Sequence, residues 1–263
     1  MNDTGPRMAN RLPALFIGHG SPMNALEDNA FTRGWQDAAR RIPKPRAIVC
    51  VSAHWETRGV GVTATPAPET IHDFYGFPQA LFNVRYPAPG DPALAAQIAQ
   101  MVKSAKVHPD TEWGLDHGAW SVLRIMYPQA DIPVLQLSLD SAQPGAFHYR
   151  LGQELAPLRD DGVLILGSGN IVHNLRLFDF HATQPADWAA RADGIIRERI
   201  ASRDHDSLLD WNALGTEVAR GIPTPEHYLP LLYTLALRGD GEPVRIFNTT
   251  VISAISMTCV QVG

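Results

Sequence analysis

Residues 12–263 are expected to form a single α/β domain, a central mixed or mostly parallel sheet flanked by helices. Three observations carry this expectation. Short apolar runs, several rich in β-branched residues, alternate with amphipathic stretches, the pattern of strands interleaved with covering helices. No internal repeat or linker interrupts the alternation, and the Pro-rich stretches at 66–68 and 87–92 read as loops over one body. A chain of 263 residues, 45% apolar and 19% charged, is long enough to bury a full core without disulfides or structural metal.

The elements follow in order. Ala14–Ile17, within LPALFIG, reads as the first strand, and Ala30–Arg40 as the first helix. Ala47–Ser52 and Gly59–Ala64 are the next strands; their length and β-branched content favour strand over buried helix. Pro92–Ser104 reads as a helix, with Pro92 suited to a first turn and Asp91 placed to cap it. Helix His117–Met126, strand Val134–Leu139, helix Phe147–Leu158 and strand Val163–Leu166 follow. Helices Trp188–Ala201 and Glu226–Leu237 and a final strand, Pro243–Asn248, complete the set.

Composition excludes several functions. The N-terminal MNDTGPRMANR lacks the apolar core of a secretory signal, so residues 1–11 are expected to be a short tail. The longest apolar runs, AIVCVSA at 47–53 and VLIL at 163–166, are far too short to span a bilayer. A net charge of −5 argues against nucleic acid or an anionic membrane as partner. Two cysteines, Cys50 and Cys259, cannot build a disulfide framework or a thiolate zinc site; they fit a reduced, cytoplasmic location, with Cys50 a buried small hydrophobe. Against two Cys stand ten His, so any metal must be held by imidazole and carboxylate.

Three histidines share a local position. His19 follows LPALFIG, His54 follows AIVCVSA and His173 follows VLILGSGNIV, each just past a predicted strand. In open α/β sheets ligands bind beyond the C-terminal strand ends. A lone histidine there is more often an ordinary satisfied polar residue; three at one sheet edge point to a site. His117 sits in GLDHGAW at a helix start, beside Asp116, which can orient it or cap the helix. His227 sits in PTPEHYLPL beside Glu226, and either residue can complete a metal site. His72, His108, His148, His181 and His205 lie in polar or loop contexts and are expected at the surface, His72 the readiest exception. The GSG around Ser168 lacks both phosphate-loop and dinucleotide spacing, and neither Ser168 nor Ser21 lies in a nucleophile elbow. Several imidazoles with a carboxylate suit Zn(II) or Fe(II). Trp55, Phe74, Tyr75, Phe77, Trp120 and Tyr228 on the candidate loops favour a flat apolar substrate over a sugar or phosphate.

Six motifs occur in order: GHGSPMNAL, SAHWET, HDFYGFP followed by YPAPG, LDHGAW, GSGNIVHNL and PTPEHYLPLLY. Together, over about Leu12 to Asn248, they resemble the 4,5-DOPA extradiol dioxygenase-like branch of the class III ring-cleaving family, the protocatechuate 4,5-dioxygenase catalytic-subunit type. The resemblance implies a metal at the C-terminal edge of the strands, with His19 and His54 as ligands. It implies a third ligand from the PEHY segment, where DOPA-type members use histidine and other relatives glutamate, which favours His227 over Glu226. It makes His173 the active-site base, able also to sit on the metal, and His117 a contact for substrate or oxygen. One divalent metal per chain is expected, Fe(II) for turnover and Zn(II) as isolated, with a catechol and O₂ as the small-molecule partners. The implied reaction is extradiol cleavage of a DOPA-like catechol to a muconate semialdehyde, with Arg85 and Glu56 as candidates for the carboxylate and ammonium of DOPA. Two other readings use the same histidines: a zinc hydrolase, which needs no O₂, and a non-enzymatic Memo-like binding protein, which has no reason to keep His19, His54, His173 and His227 together.

Overall fold

A computed structural model describes residues 11–263. Its strands are β1 (Ala14–Gly18), β2 (Ala47–Thr57), β3 (Val60–Thr63), β4 (Val107–Asp110), β5 (Val134–Asp140), β6 (Val163–Gly169), β7 (Val244–Phe247), β8 (Val251–Ile252), β9 (Ile255–Ser256) and β10 (Cys259–Val262). Eight form one sheet in the order β4-β3-β5-β2-β6-β1-β10-β7, and β8-β9 make a separate two-stranded ribbon. The central strands β5, β2, β6 and β1 run parallel. The flanks turn antiparallel, β3 against β5 on one side and β10 against β1 and β7 on the other. The expected mixed, mostly parallel sheet is therefore present.

The central strands are buried on both faces, which is why they read as unbroken apolar runs and not as alternations. Side chains alternate between two cores. Ala14 and Phe16 pack on one side with Val49, Ile165 and Leu232; Leu15 and Ile17 pack on the other with Cys50, Trp35 and Trp120. Helices cover both faces.

Several boundaries differ from the sequence expectation. β2 runs on to Thr57, with a register shift between Val51 and Glu56, so His54 lies inside an irregular strand and not beyond its end. β6 continues through Ser168 to Gly169. The single helix expected over Phe147–Leu158 is two, Gly145–Glu154 and Ala156–Asp160, with Pro157 opening the second. The helix expected from Glu226 starts only at Leu229, with Pro230 in its first turn. His227 therefore sits in the turn before a helix. β4, VHPD, was hidden by its polar composition; as an edge strand it accommodates Pro109. No helix among the described residues is long and apolar enough to cross a membrane.

The tail expected over residues 1–11 falls outside the described residues except for Arg11, which pairs with Asp160 at 2.8 Å and Glu242 at 3.0 Å. Glu242 also accepts from both terminal guanidinium nitrogens of Arg159, at 2.8 and 3.0 Å. The Arg159 side chain is 1% exposed and donates further to the Leu12 and Leu237 carbonyls, tying the start of the domain to its end. Burial pushes the Glu242 carboxyl up, but hydrogen bonds from Arg159 and the Gly239 N–H outweigh it and hold the pKa at about 2. Because the folded value lies below the ordinary 4.5, the pair stabilises the fold above that pH and its contribution fades as pH falls towards 2. Glu242→Ala leaves a buried guanidinium uncompensated and is expected to cost about 3 kcal/mol at pH 7, with the difference from the parent shrinking in acid. Urea denaturation across pH 2–7 reads both; equal midpoints at pH 7 would refute the assignment.

Candidate active site

His19 immediately follows β1, and its backbone N–H donates to the Gly169 carbonyl at the end of β6. His227 is fastened to the same place: the Asn170 N–H donates to its carbonyl at 2.9 Å, and a Cβ on residue 169 would overlap that carbonyl oxygen. His54 projects from the irregular part of β2 and lies against Gly118, where a Cβ would come within 2.8 Å of its ring. Glycines 118 and 169 thus allow backbone and imidazole to approach more closely than any other residue would.

These constraints bring His19, His54 and His227 together. Their donor atoms lie within 4.8 Å of one another. The ring centroids form a nearly equilateral triangle with sides of 5.1, 5.4 and 5.0 Å. His173 is set at the border: it groups with His227 and Glu226, its ring stacked on His227 at 3.5 Å and 9°. Its own backbone N–H donates to Gly221. His117 opens the helix His117–Met126, whose N-terminus is capped by Asp116. Asp116 is therefore a cap, held by Ser52 and Gln136, and does not orient His117. That role falls to Asp73, which accepts from the His117 backbone N–H at 2.9 Å and from its Nδ1 at 2.8 Å. Asp73 is 44 residues away in sequence and was absent from the sequence candidates, although it lies within the HDFYGFP motif. The hydrogen bonds from His117 overcome the effect of burial and keep its carboxyl below the ordinary range.

The donor set is suited to a cation. Ser168 gives its hydroxyl proton to the Gly118 carbonyl at 2.6 Å, so its oxygen accepts from His19 Nδ1 at 2.9 Å. That fixes the proton on Nδ1 and leaves the His19 Nε2 lone pair bare. This lone pair faces His54 Nε2 at 3.2 Å. His227 Nδ1 faces Glu226 Oε1 at 3.1 Å, which likewise directs its Nε2 lone pair elsewhere. Burial, reinforced by the neighbouring imidazoles, pushes His19 and His227 well below the usual histidine pKa and His54 to about 3. Three imidazoles held in the neutral form, with ring nitrogens within 4.8 Å of one another, fit a divalent ion of nitrogen preference.

The cavity over this cluster has a volume of 670 Å³. Phe74 packs edge-on against His117 at 5.6 Å and against Phe77 at 5.3 Å; Phe178 and Phe180 form a second edge-to-face pair. Tyr75, Leu175 and Met257 also line it. Half of the expected aromatic set is elsewhere. Trp55 is buried and stacked on Trp113, Tyr228 donates to Leu208 from the core, and Trp120 is buried with its indole N–H on the Ile71 carbonyl, bracing the loop that carries Asp73. Phe178 and Phe180, which sequence reasoning missed, carry no periodic or motif signal. His148 and His205, expected at the surface, are buried and bonded to Tyr233 and Tyr149, because helix packing beyond the reach of local composition encloses them.

Comparison with known proteins identifies the family. The family described as the catalytic LigB subunit of aromatic ring-opening dioxygenase matches residues 13–258, and the chain belongs to that family. It is an extradiol ring-opening dioxygenase, an oxidoreductase of a metal-dependent family. It is 48% identical to 4,5-DOPA dioxygenase extradiol of Escherichia coli (strain K12) over 97% of this chain and 96% of that one. It is 37% identical to 4,5-DOPA dioxygenase extradiol of Beta vulgaris over 90% of each. The crystal structure of an uncharacterized protein from Escherichia coli K12 superposes with a TM-score of 0.84 at 44% identity, covering 96% of this chain and all of that one. None of these relatives is a hydrolase or a binding protein by name.

Proposed function

We propose that the protein cleaves a catechol ring beside its two hydroxyls, using O₂ and one divalent metal held by His19, His54 and His227. The observation that carries this reading is the clustering of the His19, His54 and His227 ring nitrogens within 4.8 Å of one another in the lining of an aromatic-walled cavity. Fe(II) is the metal of turnover; Zn(II) competes for the same nitrogens because it binds them more tightly. When bound, the ion supplies Lewis acidity that lowers the pKa of the catechol hydroxyls and a route for electrons between ring and O₂. The buried, unpaired thiols Cys50 and Cys259 fit a cytoplasmic setting.

The chain's own residues do the rest. Burial holds His173 at a pKa of about 4, so it is neutral at pH 7 and takes the proton of the second catechol hydroxyl as general base. His117 keeps its Nδ1 proton on Asp73 and offers Nε2 to the cavity, where it contacts substrate or oxygen. Phe74 and Phe77 hold the ring flat and keep water off the reacting face. Over the whole reaction, the carbon–carbon bond beside the diol breaks and both atoms of O₂ enter the product, giving one aldehyde and one carboxylate.

The test is oxygen uptake after anaerobic Fe(II) loading, with a catechol panel. Ring opening that consumes one O₂ per catechol supports the reading; iron-loaded protein that consumes no O₂ with any catechol refutes it. Asp73→Asn is expected to lower kcat about 10–100-fold, because the amide presents a donor as well as an acceptor to His117 and loosens its orientation. Iron content should be retained. An unchanged kcat would remove Asp73 as a positioning residue.

A further inference from the structure

The apolar strands at the centre of the sheet carry two buried hydroxyls. Ser52 on β2 and Ser168 on β6 are register partners on neighbouring strands, and both are wholly buried. A hydroxyl taken out of water is costly unless it is hydrogen-bonded, and both of these are. Ser52 Oγ donates to Asp116 Oδ1 at 2.7 Å and accepts from the His54 backbone N–H at 3.2 Å. Ser168 Oγ donates to the Gly118 carbonyl at 2.6 Å and lies 2.9 Å from His19 Nδ1. The two serines are thus wired alike. Each takes an N–H from a histidine of the site and hands its own proton to the start of the helix His117–Met126. They differ in the N–H they take, which is backbone for Ser52 and imidazole for Ser168.

That difference gives Ser168 a chemical role. A carbonyl can only accept, so the Ser168 proton is committed to Gly118 and the side that meets His19 is an oxygen lone pair. A neutral imidazole carries one N–H, and the nitrogen facing an acceptor is the one that bears it. Nε2 is then the nitrogen left with its lone pair. His19 is 2% exposed, so water is poorly placed to substitute for the hydroxyl. Without it, the imidazole is free to move its proton to Nε2, which faces His54 at 3.2 Å, and a protonated nitrogen cannot ligate a cation. The other two members of the trio have a carboxylate near Nδ1, Glu226 at 3.1 Å from His227 and Asp73 at 3.7 Å from His54. His19 is the member held by a neutral group.

We infer that Ser168 is a positioning residue: by donating to Gly118 it holds the His19 proton on Nδ1 and so presents Nε2 as a metal donor. This rests on the reading that His19 holds the metal, and it names what prepares the ring before any ion arrives. It also accounts for the serine between Gly167 and Gly169, whose spacing fits neither a nucleophile elbow nor a phosphate loop.

The test has two readouts, neither of which needs turnover. Long-range proton–nitrogen correlation spectra of the full chain stripped of metal show which ring nitrogen of His19 bears the proton, and competition against a chromophoric chelator gives the Zn(II) affinity. The parent protein is expected to show His19 protonated on Nδ1. Ser168→Ala is expected to lose that preference and to bind Zn(II) about 10–100-fold more weakly, the usual cost of removing the partner of a ligating histidine. Ser168→Thr keeps a hydroxyl and is expected to restore both. Parent protein with His19 protonated on Nε2 overturns the inference without recourse to any variant, and leaves the dioxygenase reading intact. Weaker Zn(II) binding by Ser168→Ala with the proton still on Nδ1 makes the serine a packing residue and overturns it as well. Parent protein with the expected tautomer, lost in Ser168→Ala, that binds no divalent ion supports the assignment of the proton and refutes the metal reading instead.

Discussion

Replacing His227 with alanine is expected to strip the protein of its metal and to lower ring-opening activity by well over about a hundredfold, beyond the usual cost of losing an outer-shell partner. The expectation follows from the geometry: His227 closes the imidazole triangle with His19 and His54. Glu226, its sequence neighbour, instead faces His227 Nδ1. Glu226→Gln keeps an acceptor at that position and is expected to retain the metal, with activity down by about tenfold. Metal content after anaerobic Fe(II) loading and desalting separates the two. Full iron in the His227 variant together with empty Glu226 variant protein would transfer the ligand role to the glutamate.

His173→Ala is expected to reduce kcat about 10²–10⁴-fold, the range of a lost general base, while iron stays bound. His173 lies against the flat face of His227 and outside the group His19, His54 and His227, clustering instead with His227 and Glu226. Its loss therefore removes a proton acceptor and leaves the triangle standing. Partial recovery of the rate by added imidazole would mark the defect as one of proton transfer, which a merely packing role would not show. Loss of iron in step with activity would make His173 a ligand, and full activity would remove it from the chemistry.

Much of this site could be read from the chain because its histidines follow the apolar runs that build the central strands. Once β1, β2 and β6 lie side by side, His19, His54 and the loop after Gly169 must meet at one edge. What escaped was set by contacts remote in sequence. Asp73 gains its meaning only from His117, and the second aromatic pair, Phe178 and Phe180, sits in an irregular segment. Trp120 and Trp55 shared motifs with site residues, and nothing local says that their rings turn inward. The late start of the helix at Leu229 was legible in Pro230, which cannot lie far inside a helix. His148 and His205 were misjudged because their polar neighbours say nothing of the helices that cover them.

The close approach of the main chain at Gly169 has a further consequence. The His227 carbonyl occupies the space that a side chain at 169 would take, so that imidazole is located by backbone against backbone. The aromatic walls belong to different stretches of chain, residues 74–77 and 175–180. On the proposed reading, the three metal-holding imidazoles and the aromatic walls come from different stretches of chain. On that reading, exchanging Phe178 or Phe180 is expected to leave His19, His54 and His227 in place, whereas adding a single methyl group at 169 would collide with the His227 carbonyl. Such a division lets a lineage explore new aromatic substrates by wall substitutions alone, each step leaving a working catalyst behind it.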